Sequence, residues 1–235
     1  MLRWLYPTVC NVCGEESERS LCPDCLAQLP RLPRPICLYC GAPLEGTPES
    51  AEHCEACRGK PRPFQMARSA LQRTEATMQL LYKLKYHRCA WLADGLAPAM
   101  AELWQSTIGS EEYADAVLVP VPTTRRHLNQ RGYNQAEELA RPLGKLLRLP
   151  VCHALERIKT EHDSQTGLNA RQRALNAYRA FRAAPAFANG KRTLSPSVIL
   201  VDDVFTTGST ARACSRALRR LPGVKRIAVL SLVRA

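Results

Sequence analysis

Four C-x-x-C pairs crowd the first quarter of the chain: Cys10 with Cys13, Cys22 with Cys25, Cys37 with Cys40, and Cys54 with Cys57. Two sulfurs two residues apart can face one ion, and two such knuckles complete the tetrahedral four-thiolate site that a structural Zn2+ prefers. Eight cysteines therefore predict two structural Zn2+ ions. With sulfur in every position, neither ion keeps an open place for water or substrate. The pairs also alternate in type: CNVCG and CLYCG carry a trailing glycine, whereas CPDC and CEAC do not. This reads as a duplicated ribbon over residues 1–60. Duplication assigns Cys10, Cys13, Cys22 and Cys25 to one ion and Cys37, Cys40, Cys54 and Cys57 to the other; an interleaved cross-brace is the other partition that the spacing allows. His53 stands beside Cys54 but is surplus to the count and is read as a surface residue.

Disulfides between these cysteines would need an oxidising compartment. The opening MLRWLYPTVC has too short an apolar stretch and too early a cysteine for a secretory leader, and no apolar run approaches the ~20 residues of a membrane-spanning helix. The expectation is a cytoplasmic protein with no transmembrane segment. A chain of 235 residues has room for a medium domain beside the small one. The boundary is expected in the basic, proline-rich connector RGKPRPF at residues 58–64, leaving residues 65–235 as the second domain. The formal charge is +12. Thiolate-bound zinc offsets part of it, and the remaining excess favours phosphorylated or polyanionic partners without specifying one.

The second domain is centred on residues 198–210, VILVDDVFTTGST. Val198, Ile199, Leu200 and Val201 have the pattern of a strand buried on both faces of a parallel sheet, and Asp202 and Asp203 are expected to end it. Thr206, Thr207, Gly208, Ser209 and Thr210 then form a hydroxyl-rich turn into a helix. Free amides at a helix N-terminus attract phosphate, while two adjacent carboxylates can accept hydrogen bonds from ribose hydroxyls or help hold Mg2+. The plain alternative is an acidic pair closing a strand and a hydroxyl residue capping the next helix.

Around this stretch the pattern predicts a strand at 67–72, and a helix at 75–86 with Met78, Leu81, Tyr82 and Lys85 on one side. A helix follows at 91–105, with Met78, Trp91 and Trp104 read as core. A strand at 115–122 is halted by Pro120 and Pro122. Arg125, Arg126 and Arg131 precede a helix beginning near Gln135, and another strand is expected at 151–155. Residues 156–176 form a long charged stretch with the composition of a mobile lid. The chain closes with a helix at 209–221 bearing an Arg212, Arg216, Arg219 and Arg220 stripe, and a strand at 224–233. Alternating strands and helices imply a mostly parallel α/β sheet that binds ligand at the carboxyl ends of its strands.

The string VILVDDVFTTGST resembles the PRPP-binding motif of type I phosphoribosyltransferases. The segment RGYNQ at 131–135 resembles the RGFNQ-type signature of the ComF/GntX family, with Tyr133 where phenylalanine is common, and the preceding VPVP loop is similar too. With the double zinc ribbon in front, the resemblance covers nearly the whole chain. It implies a type I phosphoribosyltransferase-like sheet, with Asp202 and Asp203 at the ribose and Mg2+ of PRPP or a ribose 5-phosphate ligand, and Thr206, Thr207, Gly208, Ser209 and Thr210 around the 5′-phosphate. It also implies that Thr123, Thr124 and Arg125 lie near the pyrophosphate, where Arg131 adds charge. Gln165, Leu168, Arg171, Arg173, Asn176 and Phe181 match the family's lid, with His162, Asp163 and Ser164 where a threonine is usual; the cations of this stretch, Arg157, Lys159, Arg171 and Arg173, would close over pyrophosphate or meet DNA, the plain alternative being an ordinary surface connection with a helical second half. The family is associated with DNA uptake in natural transformation. The implied role is handling of single-stranded DNA alongside uptake-machinery proteins; the alternative is an active phosphoribosyltransferase using PRPP and Mg2+ on an acceptor that no stretch of the chain identifies.

Overall fold

A computed structural model describes residues 9–46, 52–59, 62–86, 89–109, 111–158 and 180–235. Four parallel strands make the central sheet in the order β1 (Met66–Gln72), β6 (Arg226–Arg234), β5 (Ser197–Phe205) and β2 (Val117–Pro120). A single parallel bridge from Leu118 to Val151 extends the β2 side. Each strand carries a run of apolar residues on both faces because both faces are covered. Ile199 and Val201 of β5 enter one core with Leu230 and Leu232 of β6, while Val198 and Leu200 enter the opposite core with Ile227 and Val229.

Helices α2 (Glu75–Tyr86), α3 (Leu92–Thr107) and α5 (Gln135–Leu147) supply the first core. Helix α7 (Ser209–Arg219), the short helix α6 (Pro185–Ala188) and the antiparallel pair β3 (Leu155–Arg157) and β4 (Phe181–Ala183) supply the second. The expectation of an α/β architecture with a mostly parallel sheet is borne out. Among the described residues no helix is long and apolar enough to cross a membrane.

Several local expectations are corrected. Strand β5 does not end at the acidic pair: Asp202 pairs with Ser231, Val204 with Val233 and Phe205 with Arg234. The apolar run stops at Val201, but the backbone ladder does not depend on side-chain polarity and continues four residues further. The strand expected at 151–155 is only the Val151 bridge to the central sheet, and Leu155 begins the separate antiparallel pair β3–β4. Helix α2 buries Thr77, Leu80, Leu81 and Leu84, so of the four residues expected along one side only Leu81 belongs to the buried face. Trp104 is core, Met78 packs against it partly buried, and Trp91 is 48% exposed. Arg125, Arg126 and Arg131, expected ahead of the helix near Gln135, themselves lie in a further helix, α4 (Arg125–Arg131).

The cysteine-rich segment, with its helix α1 (Pro23–Gln28), is docked against the sheet edge. An edge strand exposes unpaired backbone groups, and here β1 is covered: the Ala67 amide donates to Tyr39 O at 2.6 Å and the Gln72 amide to Pro30 O at 2.8 Å. The Arg68 guanidinium adds a bond to Leu38 O at 3.0 Å. Leu21 and Leu29 join the core under α3, and Ser20 Oγ donates to Leu92 O. Cys37, Cys40 and Cys57 join the other core beside Phe64. The two halves of the segment thus anchor on opposite faces of one sheet.

Candidate functional site

The eight thiols fall into two groups in sequential order, Cys10, Cys13, Cys22 and Cys25, then Cys37, Cys40, Cys54 and Cys57, with all ligand atoms of a group within 4.8 Å of one another. The interleaved partition is not adopted. The halves repeat in backbone as well: Gly14 N donates to Cys10 O and Gly41 N to Cys37 O, each at 2.9 Å, in turns that both glycines close at positive φ. Each half also holds one antiparallel bridge, Val9 to Glu16 and Ile36 to Pro43. The donor set fits zinc. A tetrahedron with bonds of about 2.3 Å has edges near 3.8 Å, and the Cys13 to Cys22 and Cys40 to Cys54 sulfur separations are 3.9 and 3.7 Å. Amides of Cys22 and Cys25 donate to the sulfurs of Cys10 and Cys22, hydrogen bonds that steady thiolates as metal ligands. His53 lies outside both groups and stacks on Tyr39.

At the carboxyl ends of β5 and β2 a cavity of about 250 Å3 is lined by Asp202 and Asp203, Thr123, Asn134, Thr210, and the cations Lys85, Arg131 and Arg157 with His127. Of the residues expected to act together, it unites Asp202, Asp203, Thr123, Arg131 and Thr210. Thr124 and Arg125 line an adjoining cavity of about 590 Å3 with Arg157 and Arg182. Thr206 and Thr207 face a third, on the side of the second thiolate group. Lys159, Arg171, Arg173, Gln165, Leu168 and Asn176 lie outside the described residues; Phe181 is buried in β4.

Charge dominates the first cavity. Burial, then the adjacent Asp203 carboxylate, pushes the Asp202 carboxyl well above the usual carboxylate range, against the opposing pull of the Asp203 amide and Lys85. Asp203 is salt-bridged to Lys85 at 2.7 Å. Burial followed by Arg131, Arg157, Arg126 and Lys85 holds His127 below its ordinary value, so the imidazole registers a positive field across the cavity. A pair of carboxylates facing several cations is the charge pattern that accommodates a polyanion carrying hydroxyls or a divalent ion.

The loop between β5 and α7 provides the amides. Gly208, at φ +73°, is the helix N-cap and no side chain caps the helix, leaving the first amides of α7 without an intrahelical acceptor. A Cβ at Gly208 would stand 2.6 Å from the Phe205 ring. The same loop carries two hydroxyls in contact, Thr207 Oγ1 donating to Ser209 Oγ at 3.2 Å.

RGYNQ works as a clamp. Arg131 donates to Gln135 Oε1 at 2.8 Å and to Tyr86 OH at 3.1 Å, with its guanidinium over the Tyr86 ring. Gly132 ends α4; Tyr133 OH donates to Leu84 O of α2 at 2.5 Å. Asn134 accepts from the Ala136 amide to cap α5 and donates to Val121 O to fix the loop after β2. Thr124 is spent similarly, its hydroxyl capping α4 through the His127 amide. The five residues thus tie α2, α4, α5 and the β2 loop around the cavity.

Lys85, which the sequence places only along one side of the 75–86 helix, proves to be a residue of the cavity, paired with Asp203. His127 gave no local signal at all, whereas the stripe arginines Arg212 and Arg219 prove to be engaged by the backbone carbonyls of Thr207, Pro63 and Lys225.

Comparison with known proteins adds the family. Residues 1–58 match the family described as Double zinc ribbon domain. The chain is 29% identical over 221 residues to Competence protein F of Haemophilus influenzae, covering 93% of this chain and 92% of that protein. It is 27% identical to DNA utilization protein YhgH of Escherichia coli K12, over 90% and 84% of the two chains, and 24% identical to Competence protein ComFC of Bacillus subtilis, over 93% and 85%. Over about nine-tenths of its length, double zinc ribbon included, the chain is thus similar to competence proteins of the ComF type and to the DNA utilization proteins.

Proposed function

We propose that this protein binds PRPP, or a related ribose 5-phosphate ligand, with Mg2+ in the cavity at the ends of β5 and β2, and serves DNA uptake in the cytoplasm by handling incoming single-stranded DNA. The observation that carries the ligand reading is the juxtaposition in one loop-and-strand unit of the uncapped α7 N-terminus and the acidic pair, faced by Lys85, Arg131 and Arg157. The 5′-phosphate would sit on the amides of residues 206–210, the ribose hydroxyls on Asp202 and Asp203, and the pyrophosphate toward Thr123, Arg131 and Arg157. Lys85 would give up Asp203 to Mg2+ or to a hydroxyl as the ligand enters.

The DNA reading is supported by the names of the relatives and by the outer face of α2. Tyr82 and Tyr86 are 56% and 54% exposed with ring centroids 4.8 Å apart, next to Lys83, Lys85 and Arg131. Exposed aromatics beside cations suit stacking of unpaired bases and neutralisation of their phosphates. Titration of fluorescent single-stranded DNA at increasing salt tests it: affinity should fall linearly in log–log form and drop in a Tyr82→Ala, Tyr86→Ala double variant. Absence of binding at low salt, alone or with uptake partners, sinks the DNA reading.

The second reading is a working phosphoribosyltransferase. The adjoining cavity lined by Pro122, Arg125, Leu155 and Ile158 gives an acceptor room next to the cations. Pyrophosphate release from PRPP, screened across nucleobases and other nucleophiles, separates transfer from binding.

A further inference from the structure

Four thiolates around one Zn2+ carry a net charge of about −2, and a charge of that size close to a fold's interior requires countercharge. At the second thiolate group it is supplied by arginine. A cavity of about 550 Å3 is lined by Cys40, Cys54 and Cys57 on one side and by Arg62, Arg212 and Arg234 on the other, and among the described residues no carboxylate lines it. Two of these arginines hydrogen-bond the loop that follows β5. Arg234, brought beside Phe205 by the β5 to β6 register, lies over the Phe205 ring at 4.9 Å. It places Nη2 3.7 Å from Cys40 Sγ and donates from Nη1 to Thr206 O at 2.8 Å. Arg212 donates to Thr207 O at 2.9 Å.

A trans peptide carries its C=O and N–H on opposite sides. With the Thr206 and Thr207 carbonyls drawn toward the thiolate group, the amides of Thr207 and Gly208 are turned away from it. We infer that Arg234 is a positioning residue that straps the phosphate-facing loop to the second zinc centre, so that the Cys37, Cys40, Cys54 and Cys57 group sets the aim of the loop amides. The first group, anchored under α3, has no such link to the loop among the described residues. The ligand consequence rests on the phosphate-binding reading above; the structural link does not.

The test uses full-length, two-zinc protein as wild type, Arg234→Met, Arg234→Lys, and Arg219→Met as a matched loss of an exposed charge on α7. Amide hydrogen exchange at residues 206–210 is followed without ligand, zinc is counted per chain, and PRPP affinity is measured with Mg2+. Arg234→Met should retain zinc, exchange about tenfold faster at 206–210 and bind PRPP about tenfold more weakly, the worth of one hydrogen bond to a charged group. Arg234→Lys, which can keep one contact but not both, should fall between, and covers the case in which Arg234→Met does not fold. Arg219→Met should match wild type at 206–210. Exchange in both Arg234 variants equal to wild type overturns the strap. Wild-type protein that binds no PRPP overturns the ligand reading while leaving the exchange result to decide the strap by itself.

Discussion

Substitution of Gly208 by alanine tests the loop where geometry leaves least room. Gly208 sits at φ +73°, and the added methyl would meet the Phe205 ring at 2.6, 3.2 and 3.4 Å. A non-glycine residue in the left-handed region costs about 1–2 kcal/mol. Relief of the clash is not cheap either, because Phe205 is buried, edge-on to Phe64 and under the Arg234 guanidinium; overpacking of this kind costs roughly 1–3 kcal/mol. The sum is about 2–5 kcal/mol. For a chain of this length each kcal/mol lowers Tm by about 2–4 °C, so scanning calorimetry of Gly208→Ala should find Tm lowered by roughly 4–20 °C. PRPP binding should weaken beyond detection, since the peptide that must face the phosphate has to rotate. A variant with wild-type Tm and wild-type affinity would refute both the backbone argument and the placement of the phosphate on this loop.

Three further outcomes follow from the same structure. Asp202 has a raised folded-state pKa, so the fold binds its proton more tightly than the unfolded chain does, and its contribution falls as pH rises from about 4 through the folded value; Asp202→Asn should therefore raise Tm at neutral pH, flatten the Tm–pH curve across that window, and abolish PRPP binding. Tyr133→Phe removes the bond to Leu84 O and should cost about 1 kcal/mol, read as a small drop in the denaturation midpoint at unchanged m-value. Chelation at neutral pH, followed with a colorimetric metal indicator, should release two zinc ions per chain with loss of cooperative unfolding; one ion, or an unaffected melt, contradicts two structural sites.

The architecture was legible where the signal is local. Four C-x-x-C pairs define two thiolate groups because the sulfurs of a pair are fixed by two intervening residues, and the trailing glycines marked the duplicated turns. The apolar run at 198–201 marked a buried strand, and the hydroxyl-rich turn marked its exit. What escaped depends on distant partners. Nothing near Asp202 in the sequence says that Ser231 will pair with it and carry β5 to Phe205. Lys85 reads as surface charge until α2 is laid across the end of β5, and Trp91 reads as core until α3 is seen to begin one residue later. RGYNQ was noticed as a signature, but its work is structural as well as electrostatic: Tyr133 and Asn134 hold α2 and the β2 loop in place so that Arg131 can face the acidic pair.

Isothermal calorimetry of the two-zinc protein with PRPP and Mg2+, set beside the Asp202→Asn, Asp203→Asn double variant, addresses the central claim most directly. One saturable site in the wild type, lost in the double variant at unchanged zinc content, is the predicted result. No heat in the wild type by calorimetry and no ligand-induced rise in Tm, or equal binding by the double variant, would contradict a ribose-phosphate site at the end of β5.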